Sequence, residues 1–198
     1  MPEWTDYENQ YALEGYGAVC GIDEAGRGPL AGPVFAAAVI LPPDFETEGL
    51  DDSKKLSEKK RESLFKAITE SDVRYSIAMA DEKEIDELNI LRATFLAMKR
   101  AVSSLGGADF ALVDGNCAPP LGIPVKTIIK GDKTCKSIAA ASILAKVGRD
   151  RFMTELDKKY PDYMFAKHKG YGTKLHYELI GKYGISPVHR MSFLKNLR

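Results

Sequence analysis

Gly17-Ala18-Val19-Cys20-Gly21-Ile22-Asp23-Glu24-Ala25-Gly26-Arg27-Gly28-Pro29-Leu30-Ala31-Gly32 is the stretch around which the 198-residue chain is organised. The apolar run Ala18 to Ile22 predicts a buried strand, and it stops at two adjacent carboxylates. Buried strands end in paired acids when the acids meet water, a cation or a ligand. The Gly-Arg-Gly triplet at 26–28, closed by Pro29 and Gly32, predicts a loop whose backbone comes close to something, because glycine carries no Cβ. A second apolar run, Val34 to Leu41, predicts a strand antiparallel to the first. A metal site beside a ligand-touching backbone is one reading of this pattern. A solvated strand end followed by a flexible turn is the other.

Outward from that stretch, the pattern alternates strands with helices. Ser57 before Glu58–Glu70 predicts a capped helix with Leu64, Phe65 and Ile68 on its apolar side. Val73–Ala80 alternates as a third strand. Ile85, Leu88, Leu91, Phe95, Met98 and Val102 recur at helical spacing between Asp81 and Leu105, with a break near Asn89 and a stop at Gly106-Gly107. Phe110–Val113 and Val125–Ile129 predict two more strands. A helix follows from Ser137 to about Tyr160, opening on the small residues Ile138-Ala139-Ala140-Ala141-Ser142, which suit close packing on a sheet. A short helix is expected from Thr173 to about Tyr183. No internal repeat or long linker divides the chain, so residues 1–198 read as one layered α/β domain, with about 161–198 as a helical appendage.

Composition narrows the class. Hydrophobic residues make up 44% and charged residues 28%, as in a globular protein. No apolar run reaches the roughly 20 residues that span a bilayer. The N-terminus is polar and acidic, unlike a signal peptide, so the expectation is a cytoplasmic protein without membrane attachment. Cys20, Cys117 and Cys135 are odd in number and lack Cys-x-x-Cys spacing, which argues against disulfides and a zinc knuckle. Net charge is zero, yet residues 126–198 hold 16 Lys+Arg against 6 Asp+Glu, and residues 1–125 hold 12 against 22. A basic half of this kind faces a polyanion.

Three predicted strands run into acids: Asp23-Glu24, Asp114 and Asp132. Ligands of layered α/β sheets gather at the carboxyl ends of strands. Side by side, the four carboxylates would repel and raise one another's pKa. Divalent cations resolve the conflict, and an all-oxygen donor set selects Mg²⁺ or Mn²⁺. Two ions about 3.5–4 Å apart can serve phosphodiester hydrolysis. Singly, Asp114 before Gly-Asn also reads as a turn aspartate, and Asp132 as a helix cap or a partner for nearby lysines. Occurring at three strand ends, with a basic half to receive phosphate, they point to a nuclease.

The run Gly-Ile-Asp-Glu-Ala-Gly-Arg-Gly-Pro-Leu-Ala-Gly-Pro-Val (21–34) resembles the signature of type 2 ribonucleases H. So do Asp-Ser-Lys-Lys-Leu-Ser (52–57), Val-Asp-Gly-Asn (113–116), Lys-Gly-Asp (130–132), residues 137–147, His-Lys-Gly-Tyr-Gly-Thr (168–173) and His-Arg-Met-Ser-Phe (189–193). The resemblance implies a ribonuclease H-like fold, with a mixed central β-sheet flanked by helices and a small C-terminal helical region. It implies that Asp23, Glu24, Asp114 and Asp132 hold two Mg²⁺ or Mn²⁺ ions. Gly26, Arg27 and Gly28 would contact a ribonucleotide 2′-OH, and Tyr171 would pack against the sugar at the junction with the next deoxynucleotide. Lys54, Lys169 and Arg190 would meet backbone phosphate, a solvated surface charge being the other reading of each. His168 and His189 fit phosphate or structural hydrogen bonding better than metal ligation. Lys133-Thr134-Cys135 departs most from the family's pattern, and residues 1–16 carry no functional signal.

The implied activity is endonucleolytic cleavage of RNA in RNA–DNA hybrids and of duplex DNA 5′ of embedded ribonucleotides, leaving 3′-OH and 5′-phosphate. For oligomeric state, a monomer is the default expectation. Two rivals stand beside it: a junction resolvase or integrase-type nuclease on the same sheet, and a non-catalytic hybrid-binding protein.

Overall fold

Residues 4–45, 50 and 56–195 are described by the computed structural model. Lys54 and its neighbours in the 52–57 block, apart from Leu56 and Ser57, lie outside them. Five strands form one mixed sheet: β1 (Val19–Ala25), β2 (Val34–Ile40), β3 (Arg74–Ala80), β4 (Phe110–Asp114) and β5 (Val125–Ile128), in the order β3-β2-β1-β4-β5. β2 runs antiparallel to both β1 and β3, whereas β1, β4 and β5 are parallel neighbours. Parallel pairing brings the carboxyl ends of β1, β4 and β5 to the same edge, which is what the three acid-terminated runs required.

The pleat alternates side chains between two helical layers. Cys20 and Ile22 of β1, Val34, Ala36 and Ala38 of β2, and Ala111 and Val113 of β4 face Ala93, Ala97, Met98 and Ala101 of helix α4 (Ile90–Leu105). On the opposite face, Ala37 and Val39 meet helices α2 (Glu58–Thr69) and α5 (Lys136–Lys159), while Val19, Leu112 and Ile128 meet Ile138 of α5. Gly21 shows how tightly α5 lies on β1. A Cβ there would sit 2.3 Å from the carbonyl carbon of Ser137 and 2.4 Å from the amide nitrogen of Ile138. The small residues at the start of α5 are therefore the other half of a close helix–strand contact.

The expected break near Asn89 separates α3 (Glu82–Leu88) from α4. Asn89 takes a φ of 68° and its side chain accepts from the amides of Leu91 and Arg92, so one residue both ends and caps. Beyond α5, the short α6 (Phe165–His168) and α7 (Lys174–Tyr183) form the C-terminal helical region. Ala31, Met153, Tyr163, Phe165 and Val188 join it to the loop after β1.

The N-terminal segment adds an element that the sequence did not announce: α1 (Tyr7–Leu13). Tyr11 stacks on Phe110 with ring centroids 4.0 Å apart. The Glu8 carboxylate accepts from the Ser137 amide at 2.9 Å. Cys135, at the N-cap of α5, supplies no side-chain cap, so an acid 129 residues away takes that place at the positive end of the helix.

Candidate active site

Asp23 and Glu24 are the fifth and sixth residues of β1, so the pleat turns them to opposite faces of the sheet. Asp23 falls on the α5 side, where it is buried at 5% exposure and shares a hydrogen bond with Ser142. Its Oδ1 also accepts from the Glu24 amide at 2.7 Å. Burial first, and then the charges of Glu24 and Asp114, hold its carboxyl well above the usual carboxylate range. Glu24 is partly exposed and lies 3.5 Å from the Arg27 guanidinium.

Asp114 ends β4. It is not a simple turn aspartate: its Oδ1 accepts from the Gly131 amide at 2.7 Å, across the gap to the segment after β5. A Cβ at Gly131 would meet Ile138 Cδ1 at 2.6 Å, so a side chain there would have to push the end of Ile138 aside. The next residue, Asp132, lies in a 3-10 turn (Gly131–Lys133) and is 3% exposed. The structure thus brings together the ends of β1 and β4 and the turn after β5, with one of the predicted acids or acid pairs on each.

Among the described residues, no three acidic, histidine or cysteine side chains close into a ready-made ligand shell. The four acids nearby offer carboxylate oxygens alone, a hard donor set of the kind that Mg²⁺ and Mn²⁺ take. A cation would also offset the repulsion from Glu24 and Asp114 that adds to burial in raising the Asp23 carboxyl. The donor set therefore fits Mg²⁺ or Mn²⁺.

Beside the acids lies the glycine loop. Gly26 has a φ of 96°, a region that favours glycine, and its missing side chain leaves room for Arg149, whose Nε would stand 2.0 Å from a Cβ there. Arg27 and Gly28 are exposed. Tyr171, 42% exposed, flanks the same loop, with its Cε1 3.8 Å from where a Gly28 Cβ would lie. The Gly170 carbonyl accepts from the Leu30 amide at 2.8 Å, fastening the Tyr171 turn to the glycine loop.

Other expectations are placed differently. Lys169 is half-buried and its Nζ donates to Thr154 at 3.0 Å. Arg190 is a correction: it is fully buried, and its guanidinium donates to the carbonyls of Gly26, Arg27 and Gly32. A group enclosed in this way cannot meet backbone phosphate directly. His168 and His189 are buried and hydrogen-bonded within the chain, in keeping with a structural role. Sequence reasoning missed Arg149, 1% exposed, which donates to the carbonyls of Ala31, Pro33 and Lys169. Its only sequence signal was a charged residue soon after the small-residue start of α5.

A mixed α/β sheet that delivers carboxylates to one edge, beside an exposed glycine loop and an aromatic, has the layout of a metal-dependent phosphodiester hydrolase. Comparison with known proteins makes this specific. The family model Ribonuclease HII matches residues 20–196. Ribonuclease HII of Caldicellulosiruptor saccharolyticus is 57% identical over 195 residues, covering 98% of this chain and 95% of that protein. That of Clostridioides difficile is 55% identical over 192 residues, covering 96% and 75%. The chain belongs to the ribonuclease HII family and is a metal-dependent endoribonuclease.

Solved structures agree on the fold. In the complex of PCNA with RNase HII from Archaeoglobus fulgidus, the matched chain gives a TM-score of 0.75 at 28% identity, covering 88% of this chain and 94% of that one. An RNase HIII (Bst-RNase HIII) solved in complex with Mn²⁺ gives 0.67 at 18% identity, covering 84% and 63%, and shows the shared fold alone.

Proposed function

We propose that this protein hydrolyses the RNA strand of RNA–DNA hybrids and incises duplex DNA on the 5′ side of an embedded ribonucleotide, leaving 3′-OH and 5′-phosphate ends. The observation that carries the reading is the adjacency of two features. The acids Asp23 and Glu24 near the end of β1, with Asp114 close by, lie next to a glycine loop that an exposed tyrosine flanks. Asp23, Glu24, Asp114 and Asp132 would hold Mg²⁺ or Mn²⁺, and two such ions would activate a water and stabilise the leaving oxygen.

The chain's own residues supply orientation and selectivity. Ser142 and the Glu24 amide fix the Asp23 carboxylate, and the Gly131 amide fixes Asp114. Arg27 holds Glu24 from the loop side. The exposed backbone at Arg27 and Gly28 offers hydrogen-bonding groups to a 2′-OH, the group that separates RNA from DNA at a single position. Tyr171 offers a flat apolar face to the adjoining deoxyribose. Lys54 and Lys169 would add phosphate contacts, Lys169 after leaving Thr154. The enzyme would act as a monomer, one domain over residues 1–198, in the cytoplasm, removing misincorporated ribonucleotides. Among the described residues no helix is long and apolar enough to cross a membrane.

End-labelled duplex DNA carrying one ribonucleotide, incubated with Mg²⁺, Mn²⁺ or EDTA beside an all-DNA duplex, tests this. Metal-dependent incision 5′ of the ribonucleotide, with the all-DNA duplex intact, is expected. Cleavage of the all-DNA duplex would favour a resolvase-like enzyme instead. Binding should weaken steeply with salt as phosphate contacts release counterions.

A further inference from the structure

Two guanidinium groups lie buried beneath the glycine loop, and neither is ion-paired with a carboxylate among the described residues. A buried cation is costly unless its donors are satisfied. Here six main-chain carbonyls do so. Arg190 donates to Gly26 at 2.7 Å, Arg27 at 3.0 Å and Gly32 at 2.8 Å. Arg149 donates to Pro33 at 3.0 Å, Lys169 at 3.0 Å and Ala31 at 3.3 Å. Burial pushes both groups down, Arg149 to about 10 and Arg190 to about 9, which leaves them charged near neutrality.

The consequence follows from peptide geometry. In a planar trans peptide the C=O of one residue and the N–H of the next point in opposite directions. With the Gly26 and Arg27 carbonyls drawn inward onto Arg190, the amides of Arg27 and Gly28 turn outward. Neither amide donates within the chain among the described residues. Arg149 extends the arrangement sideways: it binds the Lys169 carbonyl two residues before Tyr171, and its guanidinium carbon stands 5.8 Å from the Tyr171 ring centroid. One buried pair therefore holds both the outward amides and the aromatic beside them.

We propose that Arg149 and Arg190 are positioning residues for ribose selectivity, a two-arginine clamp that presents the Arg27 and Gly28 amides and fixes Tyr171 against them. The assignment rests on the reading of that loop as the 2′-OH contact. Arginine is required because its planar fork reaches several carbonyls at once, and a lysine ammonium cannot reproduce that geometry.

The test compares wild type, Arg190→Lys and Arg149→Lys on a duplex with one ribonucleotide and on the matched all-DNA duplex. Dissociation constants on both, kcat and KM on the first, and melting temperatures would be recorded. The clamp predicts that Arg190→Lys loses about tenfold or more of the ribonucleotide preference, while affinity for all-DNA duplex is unchanged. The loss appears in kcat for the ribonucleotide substrate, since the metal-binding acids stay but the sugar is no longer held. A variant with lowered melting temperature and an intact preference would overturn it. A wild type that shows no ribonucleotide preference would instead remove the reading of the loop beneath it.

Nitrogen-15 resonances of the two guanidinium groups in wild-type protein give an answer that does not depend on the variants folding. The clamp requires slow exchange, and shifts on adding the ribonucleotide duplex that the all-DNA duplex does not produce. Identical shifts with both duplexes would count against it.

Discussion

Acidification should destabilise the fold through the region of the Tyr171 turn, because three buried histidines around it have only one workable proton arrangement. His176 Nδ1 lies 2.9 Å from the Tyr171 carbonyl and must donate. Neutral His176 then accepts at Nε2, so His189, 3.0 Å away through its own Nε2, must be the donor. That leaves His189 Nδ1 to accept from the Ser186 amide at 3.0 Å and the Ser186 hydroxyl at 2.7 Å. A proton added to either ring sets N–H against N–H. Phe165 and Tyr163 pack on the rings and keep water out. Burial accordingly pulls His176 and His189 each from 6.5 to about 4.

Both rings are held neutral in the folded chain, so the unfolded chain takes up protons first as pH falls. The stability is fully present above about 6.5 and is lost between 6.5 and about 4. A shift of that size is worth roughly 3 kcal/mol per ring at 1.36 kcal/mol per unit. The two rings share a hydrogen bond and titrate together, so their effects do not add. Urea midpoints measured from pH 7 to pH 4.5 should fall by an amount worth about 3 kcal/mol, and His189→Gln should flatten that slope by about one proton. A midpoint independent of pH, or an equal slope in the variant, would refute the proton arrangement.

Gly21→Ala should cost at least about 1–3 kcal/mol in urea unfolding, because the new methyl would overlap the backbone of α5. Cleavage should fall further than stability does, since β1 carries Asp23 and Glu24. Asp23→Asn should raise the melting temperature of the metal-free protein by a few degrees while abolishing cleavage, since it removes a carboxyl whose charged form is disfavoured by burial and by two neighbouring acids. The sign is that of a raised carboxyl: its stabilising contribution is lost as pH rises through its folded pKa, so the gain should be largest at high pH. Glu8→Ala should cost about 1 kcal/mol by uncapping the Ser137 amide, measured by thermal melting at neutral pH.

Much of the architecture could be read before the structure. Asp23-Glu24 and Asp114 fall near the ends of parallel neighbours, with Asp132 in the turn after a third, and Asn89 divides two helices as its place between apolar repeats suggested. Short-range signals of this kind survive because a cap, a break or an apolar run acts within a few residues. What escaped notice depends on long-range geometry. Glu8 caps a helix 129 positions away, and Arg149 and Arg190 meet carbonyls 116 to 164 positions off, apart from that of Lys169. In sequence a buried arginine looks like a surface one, so Arg190 read as a phosphate contact. Only its enclosure by carbonyls shows that it serves the loop.

The central claim is that the carboxylates near the ends of β1 and β4 and in the turn after β5 do the chemistry with a divalent cation. Its most direct test is the single-turnover rate of incision at one embedded ribonucleotide by Asp114→Asn beside wild type, with melting temperatures taken on the same samples. In Mg²⁺ or Mn²⁺ the variant should lose at least about a thousandfold in rate, a barrier increase of ~4 kcal/mol, with melting temperature unchanged or higher. Incision by the variant within about tenfold of wild type, or incision by wild type in EDTA, would contradict the account.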